Sequence, residues 1–215
     1  MTSLTKWGGA SALAIAASYI FGFAMFLGVI DRTGYEGGAG NIDFVIDQHA
    51  MLSLAITVLY PLAAVALCLL VVAIRRAIPD SGWSEVAAMF GAIWAALLFA
   101  SGFVGLTGMQ SVVSLATDAP DIAQSTWAAV ASVQDALGGG IELVGGLWMA
   151  LVSWLAMRCG IASRALGGTG ILVGAVGCVT VIPGLGDLVD LFGLGQIVWF
   201  CWIGTVLLRL PARAN

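Results

Sequence analysis

Long apolar stretches recur along the whole chain, with short polar connections between them. Each stretch is close to the roughly 20 residues that an α-helix needs to cross the hydrocarbon core of a bilayer. This pattern predicts an all-α protein, a polytopic transmembrane helical bundle formed by a single transmembrane domain over residues 1–215. The six predicted spans are 8–30, 49–74, 86–116, 141–157, 166–182 and 192–208.

Two parts of this pattern admit another interpretation. The first span follows Lys6 as a signal peptide would, but its apolar run continues to Ile30, past the usual length of a signal sequence, so we expect an uncleaved anchor. A seventh span over 125–137 is the main rival topology. That segment is too short and contains Asp135, so we predict instead a helix over about 121–137 at the outer membrane surface.

The composition supports a membrane location. Of the 215 residues, 60% are hydrophobic and only 9% are charged, against about 25% charged in a soluble domain. No basic run suggests binding to nucleic acid. The cysteines form no C-x-x-C pair, so we interpret them as small apolar side chains rather than metal ligands or disulfides; they are Cys68, Cys159, Cys178 and Cys201.

Positively charged residues lie in every second connection between the predicted spans, and this distribution indicates the orientation of the chain. Only Arg32 departs from the pattern. By the positive-inside rule, both termini are predicted to be cytoplasmic. The residues that carry the pattern are Lys6, Arg75, Arg76, Arg158, Arg164, Arg209 and Arg213.

Glycine supplies the predicted contacts between helices. Lipid is as apolar as leucine, so close packing of small residues, rather than apolar burial, drives helix association in a membrane. The chain has 29 glycines. Pro61 removes a hydrogen bond within the second span and is expected to kink it. The glycines predicted at packing positions are Gly102, Gly105, Gly108, Gly170 and Gly174.

Ionisable residues inside a bilayer are costly and are therefore candidates for function. Glu142, at the outer edge of the fourth span, is the only carboxylate within a predicted span. This scarcity argues against a proton pump, an ion-coupled transporter or a voltage sensor. On a continuous helix Asp135 would share a face with Glu142. With Gln134, the two could form a polar outer vestibule that binds a ligand; the alternative is a solvated helix end.

Two further polar sites are weaker candidates. His49, the only histidine, opens the second span and could bind a ligand or titrate near neutral pH, but no ligand spacing supports a metal site. The segment 184–187, ending in Asp187, resembles the G-x-G-D motif of intramembrane aspartyl proteases. That chemistry needs two carboxylates, and no predicted span supplies a partner aspartate. We therefore predict no catalytic residue, metal or cofactor, and expect a surface turn.

Several glycines, tryptophans and helix-end arginines form a recognisable set: Lys6-Trp7-Gly8-Gly9, Gly146-Leu147-Trp148, Ser153-Trp154, Arg158, Leu166-Gly167, Gly174, Gly177, Trp199 and Leu207-Leu208-Arg209. Together they resemble a bacterial family of small multi-pass proteins, the domain-of-unknown-function family 4386. The resemblance implies six helices in the bacterial inner (plasma) membrane and supplies no activity or catalytic residues.

These observations leave three functions open. The leading one is a non-enzymatic membrane protein that binds a lipophilic ligand, or an accessory subunit that packs against another membrane protein or a second copy; membrane lipid is a partner in either case. The second is a permease or channel for a small neutral solute, since three spans in each half give inverted topology. The third is a membrane enzyme, such as an aspartyl protease, using Asp187 or the Asp135–Glu142 pair. A polar path across the bundle would favour transport, and a dry, glycine-packed core with an apolar groove would favour binding.

Overall fold

The structure, a computed structural model, describes residues 2–31, 42–139 and 142–210, and these are helical with short connections. The predicted all-α class is confirmed. Short π-helical turns continue three of the helices, and we name them π1 (Met25–Val29), π2 (Val58–Leu62) and π3 (Asp135–Gly139). The α-helices are α1 (Thr2–Ala24), α2 (Ile42–Asp47), α3 (His49–Thr57), α4 (Ala63–Ala77), α5 (Gly82–Leu115), α6 (Pro120–Gln134), α7 (Leu143–Arg158), α8 (Arg164–Val179) and α9 (Leu188–Arg209).

Five helical stretches are long and apolar enough to cross a membrane. The fourth of them joins α6, π3 and α7, and it runs across residues 140–141, which lie outside the described part of the chain. The helix α8 is apolar but shorter, with 16 residues. The five stretches are Leu4–Val29, His49–Ala77, Gly82–Leu115, Pro120–Arg158 and Leu188–Arg209.

Local sequence signals explain where several of these helices begin. The long helix α5 starts at a capping box, in which Ser84 N–H donates to Ser81 Oγ at 3.2 Å and Ser81 N–H donates to Ser84 Oγ at 3.0 Å. The Oγ of Ser163 accepts the Leu166 N–H at 3.2 Å before α8. Pro120 occupies the first turn of α6, where a missing N–H costs nothing.

Six helices form a closed ring, in the order α1, α4, α5, α7, α8, α9 and back to α1. The remaining long helix, α6, packs on the outside of α5. The side chains that fill the centre of the ring are almost completely buried, and five of them form what we call the aromatic cluster: Trp94, Trp148, Phe192, Trp199 and Phe200.

Glycines allow the helices of the ring to approach backbone to backbone. A Cβ on Gly146 would lie 2.5 Å from the Gly174 carbonyl oxygen, and a Cβ on Gly174 would lie 2.6 Å from the Gly146 oxygen. A Cβ on Gly170 would collide with Ser153 and Trp199. These contacts leave no room for a side chain, so glycine is what brings α7 and α8 this close.

The glycines of α5 face different neighbours along its length. A Cβ on Gly102 would lie 2.6 Å from Pro61 Cδ, and one on Gly105 would lie 2.9 Å from Gln134 Oε1. Gly108 lies against Val130 of α6. Pro61 itself lies in π2, and the helix continues through it into α4.

The charged side chains divide the bundle into two ends. Most of the described arginines lie at one, which we call the arginine end, where Arg75 forms ion pairs with Asp80 at 2.6 Å and Glu85 at 3.8 Å. The opposite, acidic end has its own small core where α2, α3, α5 and α6 meet, made of Met25, Ile30, Phe44, Val45, Leu52, Ala55, Ile56, Met109, Val112, Ala123 and Trp127. The candidate site lies between this small core and the aromatic cluster.

Candidate functional site

Three π-helical turns meet at one cavity of about 640 Å³ in the acidic half of the bundle. Phe26 and Leu27 of π1, Leu59 and Tyr60 of π2, and Gly138 of π3 all line it. A π turn interrupts the regular helix ladder and is found often at functional sites. The volume lies within the range of small-molecule sites, about 300–1,000 Å³.

Most of the lining is apolar. Only five side chains carry a polar atom, and they come from α1, π2, the start of α7 and α9: Tyr19, Tyr60, Glu142, Asp190 and Gln196. The other lining residues are Gly22, Phe23, Phe26, Leu27, Phe44, Leu59, Leu98, Gly138, Val189, Phe192, Gly193 and Leu194. A largely apolar wall with a few polar groups is the usual composition of a ligand site.

Hydrogen bonds from its backbone N–H and carbonyl groups hold Glu142 in place. Its N–H donates to Thr180 Oγ1 at 2.9 Å, and the Thr180 hydroxyl donates to the Gly177 carbonyl at 2.8 Å. Its own carbonyl accepts the Gly146 N–H at 2.8 Å. The residue is 9% exposed. The end of α8 therefore fixes a buried carboxyl group at the start of α7, on the wall of the cavity.

Two tyrosines and a glutamine line the same cavity as this carboxyl group. They are Tyr19, Tyr60 and Gln196. Gln196 lies beside the Tyr19 hydroxyl and is 1% exposed. Its Oε1 atom has no hydrogen-bond partner among the described residues, so a strong acceptor is left available in a residue of the cavity wall. We call Tyr19, Tyr60, Glu142 and Gln196 the polar group.

The aromatic cluster closes the cavity on the side of the arginine end. Phe192 belongs to both, and its ring centroid lies 6.5 Å from that of Trp94. The Trp94 ring is 5.6 Å from Trp148, and Trp199 is 5.8 Å from Trp148 and 5.4 Å from Phe200. Because these rings fill the centre of the ring of helices, the cavity ends at the aromatic cluster.

On the opposite side the cavity opens at the protein surface. Its exposed lining residues are Leu27, Leu194 and Phe26, with 73%, 53% and 40% of their surface exposed, together with Asp190. They come from π1 and the beginning of α9. We call these four residues the mouth. Three of the four are large apolar side chains, so the opening is suited to contact with lipid.

Of the ligand-binding residues predicted from the sequence, Glu142 lines the cavity. Asp135 is exposed and lies outside the lining, and Gln134 packs beside Tyr60 and Gly105. The helix that would have aligned Asp135 with Glu142 is interrupted, because Gly138 adopts a φ of 138°. Asp135 and Glu142 therefore do not share the face of one continuous helix, and Glu142 is buried rather than at a solvated helix end.

The other two predicted residues lie away from the cavity. His49 is exposed, and its Nδ1 atom is 2.7 Å from the Ile46 carbonyl oxygen. Asp187 is exposed in the turn before α9 and does not line the cavity. No group of three or more potential metal ligands occurs among the described residues.

Sequence reasoning did not identify three of the polar residues in the cavity. Tyr19, Tyr60 and Gln196 each lie within an apolar stretch. The sequence shows only that each of these residues places a polar atom within a predicted span. Their spacing along the chain does not indicate that they lie together. Only the packing of α1 and π2 against α9 brings them together.

Comparison with protein families, with curated proteins and with solved structures finds no match for this chain. The resemblance to a family of small multi-pass proteins stays a prediction. The site geometry is therefore the basis for the functional proposal.

Proposed function

We propose that this chain is a non-enzymatic integral membrane protein that binds a lipophilic ligand in the cavity. One observation carries the proposal: a largely apolar cavity opens through a largely apolar mouth, has polar groups inside, and ends at a packed aromatic cluster. A ligand with an apolar body and a polar head could enter sideways from the lipid and place its head beside Glu142.

The proposal includes six spans, with both termini cytoplasmic in the inner membrane. In support, Arg75, Arg158, Arg164 and Arg209 all lie at one end of the ring. The helix α8 spans about 24 Å, less than the hydrocarbon thickness of about 30 Å. The turn that follows it carries exposed Val181, Ile182 and Leu185, which extend its apolar surface.

In this proposed topology, α6 lies outside the bilayer. With 34 residues, α5 is about 51 Å long and exceeds the bilayer core, so its second half projects on the acidic side. The contacts of α6 are with that half, at Gly105 and Gly108. The polar group of the cavity then lies in the outer half of the membrane, since Gln196 is about 20 Å along α9 from Arg209.

Transport of a neutral solute is less well supported than binding. A permease needs a path that opens to both sides, and the aromatic cluster occupies the centre of the ring below the cavity. The protease alternative needs a paired carboxylate beside Asp187, and Asp187 is exposed in a turn away from the cavity.

Native mass spectrometry of the protein released from its own membranes in mild detergent tests the proposal. We expect a bound small molecule or lipid of defined mass. Gly193→Leu fills the cavity without a backbone clash, because a Cβ there would lie 3.7 Å from Phe23. This variant should lose the bound mass.

Gly168→Leu is the matched control, since that glycine is exposed on α8 with open space around it. It should retain the ligand. A wild-type protein that carries no ligand, or a mass that Gly193→Leu and Gly168→Leu retain equally, would reject the cavity as the binding site.

A further inference from the structure

The charges around the cavity are one-sided. Glu142 lies on the inner wall and Asp190 at the mouth, while no lysine, arginine or histidine among the described residues lines the cavity. Among the described residues, the ion pairs are formed by Arg75, at the arginine end. A buried carboxyl group stays ionised only beside a cation or strong hydrogen-bond donors, because its desolvation is otherwise very costly and it takes up a proton instead. A bound cation would favour the ionised form, and no described residue of the lining supplies one.

The neighbours of Glu142 also suit a positive charge. Tyr19 and Tyr60 line the same cavity as Glu142, together with Phe23. Aromatic faces attract ammonium groups, and aromatic cages are a recurring way to bind them. The buried Gln196 Oε1 atom, which has no partner among the described residues, is a further acceptor on the same wall.

An anionic head would meet the opposite conditions. A carboxylate or phosphate bound here would face Glu142 and Asp190 with no described basic side chain in the lining to balance it. A neutral hydroxyl head could donate to Gln196 but would gain nothing from the charge that Glu142 carries when ionised.

From these observations we propose that the ligand is a cationic amphiphile, with an ammonium head bound by Glu142 between Tyr19 and Tyr60 and an apolar tail extending toward the mouth. This inference rests on the proposed function and specifies the ligand class. Glu142 and Gln196 accept hydrogen bonds from a protonated amine, and the tyrosine rings face the charge. The apolar side chains of π1 and α9 contact the tail.

The test uses probes that share a twelve-carbon tail and differ in the head: dodecylamine, dodecyltrimethylammonium, dodecanol and dodecanoate. Native mass spectrometry of the full chain in a neutral maltoside detergent gives a dissociation constant for each. The wild-type protein should bind both cations about tenfold more tightly than dodecanol, with dodecanoate weakest. Equal affinities for all four probes would overturn the cationic head and leave lipophilic binding intact.

Glu142→Gln keeps the shape of the side chain and removes its charge. It should weaken dodecyltrimethylammonium binding about tenfold while changing dodecanol binding less than about threefold, and the retained dodecanol binding shows that the variant is folded. Asp187→Asn removes a charge at an exposed residue outside the cavity lining and should change cation binding less than about threefold, because water screens that site.

The outcomes separate the two proposals. If the ratio of cation to alcohol affinity is the same in Glu142→Gln and in the wild-type protein, the role of Glu142 is wrong. If Gly193→Leu binds all four probes as the wild-type protein does, the cavity is not the binding site and the proposed function fails as well.

Discussion

The aromatic cluster and the cavity lie side by side in the same ring of helices, and they are built in opposite ways. Around the cluster the helices are regular, glycine brings their backbones together, and rings such as Trp199 are 1% exposed. Around the cavity, three π turns interrupt the helices and leave space. Phe192 belongs to both regions. In the proposed function, the first region maintains the fold and the second holds the ligand.

Polar atoms differ between the two regions as well. In the aromatic cluster, Trp94 Nε1 and Trp199 Nε1 are buried and have no hydrogen-bond partner among the described residues. Neither group is charged. The cavity holds the carboxyl group of Glu142, which has a far larger desolvation cost. An ionisable side chain inside a membrane protein is a candidate for function, so Glu142 supports the proposal that the cavity is the functional region.

The largest expected effect is on the cluster. Trp199→Ala should lower the free energy of unfolding by about 4 kcal/mol, because it leaves a void that the packed ring cannot fill. Unfolding by sodium dodecyl sulfate in mixed micelles measures the change. Trp7→Ala, at a residue that is 62% exposed, is the control and should change stability by less than about 0.5 kcal/mol. Equal losses would contradict the division of roles.

The second largest effect is expected from overpacking the contact between α7 and α8 at Gly174. Gly174→Ala should cost about 2 kcal/mol, because the new methyl group meets the backbone of α7 rather than a side chain that can move. The same titration measures it, with Gly168→Ala in open space as the matched variant. If the two substitutions are equivalent, α7 and α8 do not depend on this approach.

Gly102→Ala affects the border between the regions. A methyl group there would press on Tyr60 and Pro61, so we expect a loss of about 1 kcal/mol and ligand retention about threefold weaker, since Tyr60 lines the cavity. Native mass spectrometry and the unfolding titration are read together. A loss of stability with unchanged ligand retention would show that Tyr60 does not contribute to ligand binding.

The smallest effect on stability is expected inside the cavity. Gly193→Leu should leave the free energy of unfolding within about 0.5 kcal/mol of the wild-type value, because the new side chain enters empty space. Its loss of ligand should therefore occur in a folded protein. A large destabilisation would show that this region is packed as tightly as the cluster.

Sequence reasoning recovered the parts of this protein that depend on local pattern. Apolar length predicted the all-α bundle, and the tryptophans and glycines are visible in the sequence. The cavity depends on features that periodicity cannot show. Gly138 interrupts the helical geometry between Asp135 and Glu142, and Gln196 meets Tyr19 only because α9 closes the ring against α1.

The central claim is that the cavity, rather than the lipid-facing surface, is the binding site. Photolabelling with a dodecylammonium probe that carries a diazirine in its tail, followed by peptide mapping, tests it most directly. The account predicts adducts at Phe23, Phe26 and Leu194, which line the cavity or its mouth, and excess unlabelled dodecylamine should suppress them. Adducts that fall mainly on exposed Leu69 and Leu172, far along the chain from the mouth, and that resist competition would contradict it.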